Sequence, residues 1–398
     1  MSNQPVIVAA KRTPIGRFFG SLANVPSPQI GAFAIEAVLN DAPAAKDHVD
    51  ECIMGCVLQA GLGQNPARQA GLKAGLPSTL SAKTINKVCG SGLEAVMMAA
   101  QSIKAGDNHC VVAGGMENMT GSPHFAHVRQ GVKYGPGTME DHMAFDGLRC
   151  AFECWPMGNA AEHIAEKYGV TREDQDRFGA QSHVRAAAAW DAGHFDSEVV
   201  TLTGEQIGNR KVPGPEGGIS RDEGIRGDST AEGLGKLRPA FSKDGTITAG
   251  NASQISDGAA ATIVMSEAKA KELGLAPLCR IVAYHTSGVD PKDIFAAPIE
   301  GVKGALAKAG WSVDDVDLYE LNEAFAAQAL CNAKELGINE AKMNICGGGV
   351  ALGHPIGASG ARVLVTLIHQ LKRTGGKKGV AALCLGGGNA VAMCVEMC

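Results

Sequence analysis

The stretch Asn86-Lys87-Val88-Cys89-Gly90-Ser91-Gly92 decides the fold of this 398-residue chain. After Cys89, apolar residues recur at the spacing of one helix face as far as Lys104. A short apolar run that ends at Gly114-Gly115 follows and predicts a buried strand. The stretch therefore marks the start of a helix–strand unit, with a cysteine at the entrance of the helix.

The same unit returns near the C-terminus. Ser359-Gly360 begins a second helical pattern that runs to Lys372, and a strand that ends at Gly386-Gly387 follows it. A cysteine, Cys384, lies at the end of that strand. The repetition predicts two similar α/β halves that descend from a duplicated ancestor.

Further apolar runs bounded by glycine predict buried strands along the whole chain. These runs are residues 6–10, 110–113, 261–265, 281–284, 380–385 and 390–395. Helical patterns separate several of them. This alternation predicts an α/β protein whose sheets are covered by helices on both faces.

Three regions are expected from this pattern. Residues 1–120, completed by 251–270, form an N-terminal half, and residues 271–398 form a C-terminal half. Residues 121–250 differ in character and include a helix with Thr171 and Asp174 as a capping box and Gly193 as its terminator. An insertion this long predicts a lid or binding element for a large substrate.

Composition excludes several classes of protein. The net charge of −5 gives no attraction to nucleic acid or to an anionic membrane. The uncharged residues 343–361 are long enough to span a bilayer, but their glycines, His354 and Pro355 argue against a membrane helix. The N-terminus lacks the apolar run of a secretory signal. The twelve cysteines therefore predict free thiols in a cytoplasmic protein, and none of their spacings predicts a metal site.

Cys89 is a candidate nucleophile. Free N–H groups and the dipole at a helix N-terminus lower the pKa of a thiol and favour the thiolate. The alternative is a small buried cysteine at a helix start. Gly90 and Gly92 argue against that alternative, because they weaken the helix and clear space around the sulfur.

Cys384 is a candidate proton carrier. A thiol is a far stronger acid than the α-carbon of a thioester, so removal of that proton requires donors that hold the enolate oxygen in a water-poor pocket. The backbone N–H groups of Gly386 and Cys89 are candidates for this role.

His354 and Asn322 are the remaining chemical candidates. The imidazole of His354 lies on a glycine-lined loop and suits a group that takes a thiol proton and then polarises a carbonyl. The spacing of Gly353, Gly357 and Gly360 is not that of a dinucleotide loop. Asn322 is expected at the opening of a helix, either as its N-cap or as an amide that positions a water or a carbonyl.

At this point the chain resembles the thiolase family over essentially its full length. The resemblance rests on several motifs in the family's order: residues 6–14, Asn86-Lys87-Val88-Cys89-Gly90-Ser91-Gly92, residues 250–260, Asn322-Glu323-Ala324-Phe325, Gly353-His354-Pro355 and Cys384-Leu385-Gly386-Gly387-Gly388. It implies the thiolase fold, with two duplicated α/β halves in five layers (α-β-α-β-α) and an inserted loop domain.

The resemblance also implies a two-step reaction on coenzyme A thioesters, with no other cofactor. Cys89 would be acylated with help from His354, and Cys384 would exchange a proton with acetyl-CoA. One oxyanion pocket would use His354 and a water held by Asn322, and the other would use the N–H groups of Cys89 and Gly386. Substrate contacts are expected from residues in and around the insert, namely Ser253, Arg226, Met157, Leu148, Phe241, Phe325 and Ala249.

The implied reaction joins two acetyl-CoA molecules to acetoacetyl-CoA, or reverses that condensation. A thiolase of fatty-acid breakdown with longer substrates is an alternative, because Pro156 stands where short-chain members often have His. The second cysteine argues against a ketoacyl-carrier-protein synthase. The presence of Cys89 and His354 argues against a non-catalytic acyl-CoA binding module. The absence of a dinucleotide fingerprint argues against a nicotinamide oxidoreductase. The partners expected are acyl-CoA, CoA and further copies of this chain, with residues 122–137 resembling the family's tetramer-forming loop.

Overall fold

A computed structural model describes residues 3–208 and 214–398. In these residues the strands are β1 Pro5–Arg12, β2 Gly16–Arg17, β3 Glu51–Gly55, β4 Ser81–Ile85, β5 Cys110–Asn118, β6 His124–Phe125, β7 Glu140–Asp141, β8 Ser256–Ser266, β9 Cys279–Gly288, β10 Leu318–Leu321, β11 Lys378–Leu385 and β12 Asn389–Met397. The α-helices are α1 Ser27–Asp41, α2 Pro66–Lys73, α3 Ser91–Ala105, α4 Met157–Tyr168, α5 Arg172–Asp191, α6 Gly204–Ile207, α7 Ala231–Gly235, α8 Glu267–Glu272, α9 Ala297–Ala309, α10 Ala326–Leu336, α11 Gly349–Leu352 and α12 Ile356–Thr374. Shorter helical turns cover Pro43–His48, Met143–Gly147, Pro291–Ala296 and Glu340–Lys342.

The strands of the two halves meet in one continuous hydrogen-bonded order. That order is β10-β11-β12-β9-β1-β8-β5-β3-β4, with β2 beside β8. The link between the halves is short: β1 pairs with β9 only at Val6 with Arg280 and at Ile7 with Cys279. The remaining pairs lie within one half or the other, so each half keeps its own sheet.

The repeat seen in the sequence is also a repeat of topology. In the first half β5 is parallel to β3 and antiparallel to β8. In the second half β11 is parallel to β10 and antiparallel to β12. In each half the helix that precedes this central strand, α3 or α12, carries the Ser-Gly pair that marked the repeat.

The two repeat helices form the middle layer of the molecule. Helix α12 contacts α3 and strands of both sheets, β8 and β5 on one side and β11 and β10 on the other. Helix α1 covers the outer face of the first sheet, and α9 covers the outer face of the second. Three apolar clusters fill the spaces between these layers. The five-layered arrangement of two duplicated α/β halves expected from the sequence is present.

All six predicted strands are present, and each is longer than its apolar run. The second repeat helix begins at Ile356, three residues before the predicted start at Ser359, because Pro355 occupies its N-cap and Ile356 is already buried. Asn322 does not open a helix: α10 begins at Ala326 after an extended Phe325. The prediction that Asn322 is an N-cap is therefore wrong, and its side chain is available for the site.

The region 121–250 supplies helices that pack against the second half. Helix α4 contacts α10, and α5 contacts both α10 and α11. The capping box of α5 is present with both of its hydrogen bonds, between Thr171 and Asp174, and Gly193 follows the helix with a φ of 70°. The three-region division of the chain stays a prediction. Among residues 3–208 and 214–398, no helix has the length and apolar character needed to cross a bilayer.

Candidate active site

Cys89 lies on a tight turn between β4 and α3. The preceding residue, Val88, has a φ of 48°, which a β-branched residue rarely adopts. The hydroxyl of Ser91 closes the turn, since it accepts from the Lys87 N–H at 2.8 Å and donates to the Val88 carbonyl at 2.6 Å. Strained backbone of this kind, worth about 1–3 kcal/mol, concentrates at functional sites. The turn holds the thiol at the entrance of α3.

The resting thiol of Cys89 differs from the prediction. Burial raises the pKa of Cys89 to about 12, and the backbone N–H groups of Cys89 and Gly386 oppose that rise. The half-buried side chain packs against an apolar cluster that includes Val57, Leu58 and Ile356. A lowered pKa at this helix entrance was expected and is wrong, because desolvation outweighs the helix N–H groups. The sulfur therefore rests as a thiol and must lose its proton during the reaction.

The two cysteines of the repeat are neighbours. Burial raises the pKa of Cys384 well above its ordinary value, and a negative charge on Cys89 raises it further. The turn after Cys384 contacts the turn that carries Cys89: a Cβ on Gly386 would lie 3.1 Å from Val88 Cγ1. A thiol from each half thus faces the same space.

His354 is held by its backbone and by one ring nitrogen. Its N–H donates to the Gln254 carbonyl at 3.1 Å and to Ser256 Oγ at 3.2 Å. Nδ1 of the ring lies 2.6 Å from Ser359 Oγ, which itself donates to the Pro355 carbonyl at 2.9 Å. Because the single hydroxyl proton of Ser359 is used there, Ser359 accepts from an Nδ1–H. The ring is then the tautomer whose Nε2 is free to take a proton.

The electrostatics around His354 keep the ring neutral. Burial, together with a smaller effect of the charge of Arg362, lowers its pKa to about 3. The imidazole of His354 and the thiol of Cys89 are therefore both neutral at rest, and a proton moves between them only when a substrate stabilises the resulting charges.

Asn322 lies against the imidazole. Its amide nitrogen is 3.4 Å from Nε2 and 3.5 Å from Nδ1 of His354, and its backbone N–H donates to the Ala382 carbonyl. Its side-chain oxygen accepts from Arg362 Nη2 at 3.4 Å. The amide therefore directs its N–H groups toward the His354 ring.

Glu117 ties together the loops on either side of this site. Its carboxylate accepts from the N–H groups of Val57, Leu58 and Gly357 at 3.0, 3.2 and 2.9 Å. Burial raises the pKa of Glu117 to about 7, while these N–H groups oppose the rise. One side chain from β5 thus joins the loop after β3 to the loop after His354.

Three of the predicted acyl-pocket residues belong to the apolar clusters that include the two cysteines, and the fourth, Phe241, contacts one of them. Leu148 packs in the same apolar cluster as Cys89. Met157 packs against the cluster that contains Cys384 and Phe325, and its N–H donates to the Leu148 carbonyl at 2.9 Å. Phe241 stacks edge-on against Phe325 at 6.3 Å between ring centres. Leu148 and Met157 are thus joined through their backbones, and Phe241 and Phe325 through their rings.

The predicted coenzyme A contacts lie toward the surface. Ser253 is half-buried and is fixed to the Asn322 loop, because its N–H donates to the Ala324 carbonyl at 3.0 Å. Arg226 and Ala249 are exposed. The Arg226 N–H donates to Nδ1 of the buried His183 at 3.1 Å, which anchors that loop. Their contacts with a substrate stay predictions.

Several residues of the site were not found from the sequence. From the sequence, Ser359 was recognised only as the start of a helix. Arg362 was recognised only as the first charged residue after a long uncharged stretch. A charged side chain between Ala361 and Val363 on an apolar helix face was the available signal, since such residues are rarely buried without a purpose. Glu117, within a run of buried strand residues, carried the same signal.

The arrangement can perform acyl transfer through a thiol. It offers a nucleophile, a neutral imidazole with a free Nε2, a second thiol, and N–H donors for two oxyanions. All twelve cysteines are free. Within residues 3–208 and 214–398, no group of three or more His, Cys, Asp or Glu side chains is placed to hold a metal ion.

Comparison with known proteins agrees with this chemistry. Family models for the thiolase N-terminal domain and the thiolase C-terminal domain match residues 5–268 and 275–397. The chain is 54% identical over 391 residues to an acetyl-CoA acetyltransferase of Chromobacterium violaceum, with 98% of each chain covered. It is 50% identical over 400 residues to a cytosolic acetyl-CoA acetyltransferase of Mus musculus, with 99% of this chain and 98% of the relative covered. The crystal structure of the Bacillus anthracis acetyl-CoA acetyltransferase superimposes with a TM-score of 0.96 at 43% identity, covering 100% of this chain and 99% of that one.

Proposed function

This chain belongs to the thiolase family, and from that membership we propose that it is an acetyl-CoA C-acetyltransferase. It joins two acetyl-CoA molecules to give acetoacetyl-CoA and CoA, and it catalyses the reverse thiolysis. The observation that carries the proposal is the contact between the turn after Cys384 and the turn that carries Cys89, which brings a thiol from each half to one site. The names of the relatives support the choice of substrate.

The first step is acylation of Cys89. The thiol proton passes to Nε2 of His354 as the sulfur attacks the carbonyl carbon of acetyl-CoA. The oxyanion that forms is held by backbone N–H groups, those of Cys89 and Gly386 being the candidates. The carbon–sulfur bond to CoA then breaks, and the departing CoA sulfur takes the proton from His354. Acetyl-Cys89 and free CoA result, and His354 is neutral again.

The second step forms the carbon–carbon bond. The proton of the Cys384 thiol first passes to Nε2 of His354, and the resulting thiolate takes a proton from the α-carbon of a second acetyl-CoA. His354, now protonated on Nε2, and a water held by Asn322 stabilise the enolate oxygen. The enolate carbon attacks acetyl-Cys89, the bond between that carbonyl and the Cys89 sulfur breaks, and the released Cys89 thiolate takes the proton from His354. Cys384 keeps the proton from the α-carbon, so Cys89, Cys384 and His354 all end as neutral groups.

Substrate binding follows from the positions of the remaining residues. The apolar side chains of Leu148, Met157 and Phe325 take the acyl group, with Phe241 and Ala249 beside the pantetheine. Ser253 and Arg226 lie nearer the surface and bind the coenzyme A handle. Each step uses only groups of this chain and its thioester substrates, so the proposal requires no separate cofactor.

Mass spectrometry tests the first step. Cys89→Ala should abolish the acetyl adduct that appears on incubation with acetyl-CoA. Cys384→Ala should retain that adduct but lose formation of acetoacetyl-CoA. The exposed Cys398→Ala is the matched control and should behave as the wild type. An adduct that persists in Cys89→Ala would refute the assignment, and its absence from the wild type would favour a non-catalytic binding module.

A thiolysis series tests the chain length. Pro156, exposed at the start of α4, is the one residue that favours longer substrates. Acetoacetyl-CoA should be cleaved with a higher kcat/KM than 3-ketoacyl-CoA of six or more carbons. Equal or faster cleavage of the longer substrates would make this a thiolase of fatty-acid breakdown.

Self-association and a cytoplasmic location complete the proposal. Exposed apolar side chains are concentrated between β6 and β7, at Val128, Val132, Tyr134 and Met139. Such a patch is typical of an interaction surface. Light scattering should give a multiple of 41.0 kDa, and fractionation of expressing cells should place the protein in the soluble cytoplasmic fraction.

A further inference from the structure

The buried guanidinium of Arg362 lies directly behind Asn322. Arg362 is only 2% exposed, although it is among the largest side chains of the chain. Its Nη2 donates to Asn322 Oδ1 at 3.4 Å, and its Nη1 donates to Glu320 Oε2 at 3.3 Å. Burial of an arginine costs several kcal/mol unless its charge is paired and its donors are satisfied. Here the pairing is incomplete, since Nε has no partner among the described residues.

The contact with Arg362 determines which end of the Asn322 amide faces the imidazole. A guanidinium has donors only, so it can bind the amide oxygen and not the amide nitrogen. With Oδ1 held by Arg362, Nδ2 is directed to His354, where the structure places it 3.4 Å from Nε2. Without this contact, the amide would be free to turn its oxygen toward the developing negative charge.

Arg362 also acts on the site through its charge. Its charge lowers the pKa of the His354 ring, in addition to the larger effect of burial. The charged groups that act on Arg362 include Glu320, Glu323, Glu198 and Arg12. Three of these are acids, and Glu320 accepts a hydrogen bond from the guanidinium. In a buried site, a fixed positive charge near a developing oxyanion is worth far more than in water.

We propose that Arg362 is a positioning residue for the oxyanion site of Asn322 and His354, where it orients the Asn322 amide and supplies a fixed positive charge behind it. This proposal rests on the proposed function for the identity of the oxyanion, the enolate of an acetyl thioester. The geometry of Arg362, Asn322 and His354 stands independently of that identity.

Two substitutions separate orientation from charge. Arg362→Lys keeps the charge, but a lysine lacks the forked pair of donors with which the guanidinium binds Asn322 and Glu320 at the same time. This substitution should lower kcat for acetoacetyl-CoA thiolysis by about 10- to 100-fold with KM nearly unchanged, because Arg362 is buried behind Asn322 and only 2% exposed. Arg362→Gln removes the charge as well and should lower kcat further.

Nitrogen-15 NMR of the histidine side chains gives a readout that does not need turnover. The signal of His354 is assigned from its loss in His354→Asn. In the wild type and in Arg362→Lys the ring should stay neutral down to pH 5, whereas in Arg362→Gln it should titrate at a higher pH. Arg373→Gln is the matched control, since Arg373 lies on the same helix and donates to Gln370 rather than to the site.

A third variant keeps the proposal testable if Arg362→Gln does not fold. Arg362→Gln leaves Glu320 buried without a partner, and Arg362→Gln with Glu320→Gln removes both charges. Unchanged kcat together with unchanged His354 titration in a folded variant would overturn the proposal. If the wild type shows no acetyl transfer but the His354 titration shifts as stated, the proposed function fails while the coupling of Arg362 to the site stands.

Discussion

Gly92 and Gly360 face each other where the two central helices cross. A Cβ on Gly92 would lie 2.6 Å from the backbone nitrogen of Ala361, and a Cβ on Gly360 would lie even closer to the backbone nitrogen of Leu93. The glycines of the two Ser-Gly repeats are therefore reciprocal: each clears space for the backbone that follows the other. This close approach brings the helix entrance that carries Cys89 beside the one that follows His354.

Substitution of either glycine tests the crossing. Gly92→Ala and Gly360→Ala should each lower the free energy of unfolding by about 1–3 kcal/mol or more, because the added methyl meets backbone that cannot move aside. Urea unfolding measures this. Gly235→Ala in α7 is the control: its nearest neighbour would be an Asp176 oxygen at 3.9 Å, and its effect should stay within about 0.5 kcal/mol. Equal losses of unfolding free energy at Gly92, Gly360 and Gly235 would contradict a requirement for glycine where the two helices cross.

Ser359 should control the tautomer of His354. Loss of its hydroxyl in Ser359→Ala removes the acceptor of Nδ1–H, so part of the population should carry its proton on Nε2 and kcat should fall by about 10- to 100-fold. Nitrogen-15 NMR would show the change in tautomer. Thr374→Ala is the matched control, since Thr374 makes the same hydroxyl contact to the carbonyl four residues earlier in α12 without a histidine. An unchanged His354 spectrum in Ser359→Ala would refute this role.

Glu117 should make stability depend on pH. Its folded pKa of about 7 exceeds the value of about 4.3 for an unfolded chain, so the folded protein holds a proton that the unfolded chain has lost. The free energy of unfolding should therefore fall as pH rises from about 4 to about 7, by an amount on the order of 2–3 kcal/mol.

The comparison of wild type with Glu117→Gln isolates this effect. Glu320 and Asp257 also have raised pKa values, of about 8 and about 6, and contribute with the same sign to both proteins. The stability advantage of the wild type over the variant should be larger at pH 5 than at pH 8. An advantage that is independent of pH would mean that the Glu117 pKa is not raised.

The buried ion cluster of Arg12 should be a main support of the insert. Arg12 donates to Glu198 at 2.7 Å and to Asp222 at 2.7 and 3.0 Å, and all three side chains are inaccessible or nearly so. Asp222→Ala leaves a buried guanidinium short of a partner and should cost about 3–5 kcal/mol in thermal or urea unfolding. Glu232→Ala, which removes the exposed pair with Lys236, should cost less than about 1 kcal/mol. Similar costs for the two pairs would contradict the importance of burial here.

Much of the fold could be predicted from local patterns. All six predicted apolar runs are strands, although the main sheet also contains β3, β4 and β10, which no run predicted. The Ser-Gly repeats predicted two equivalent halves, because side-chain periodicity and glycine placement are local properties. The helix boundaries were less certain. Helix α12 begins at Ile356, after Pro355, and not at Ser359 as the sequence pattern predicted. The burial of Ile356 depends on the neighbouring half, which the pattern does not show.

The chemistry of the site divides in the same way. Cys89, His354, Asn322 and Cys384 were identified as residue types in suitable local settings. The direction of the Cys89 pKa was predicted wrongly, because the helix entrance is visible in the sequence and the desolvation is not. Ser359, Arg362 and Glu117 gain their roles only from partners far away in the chain.

The sequence by itself determined which groups this protein uses: two thiols and an imidazole beside glycines, and an amide that follows a strand. The tertiary structure decided their states and their neighbours. Proximity of groups hundreds of residues apart and the free energy of burying a charge are properties of the packed chain, so the neutral thiol–imidazole pair and the guanidinium behind Asn322 could come only from the fold.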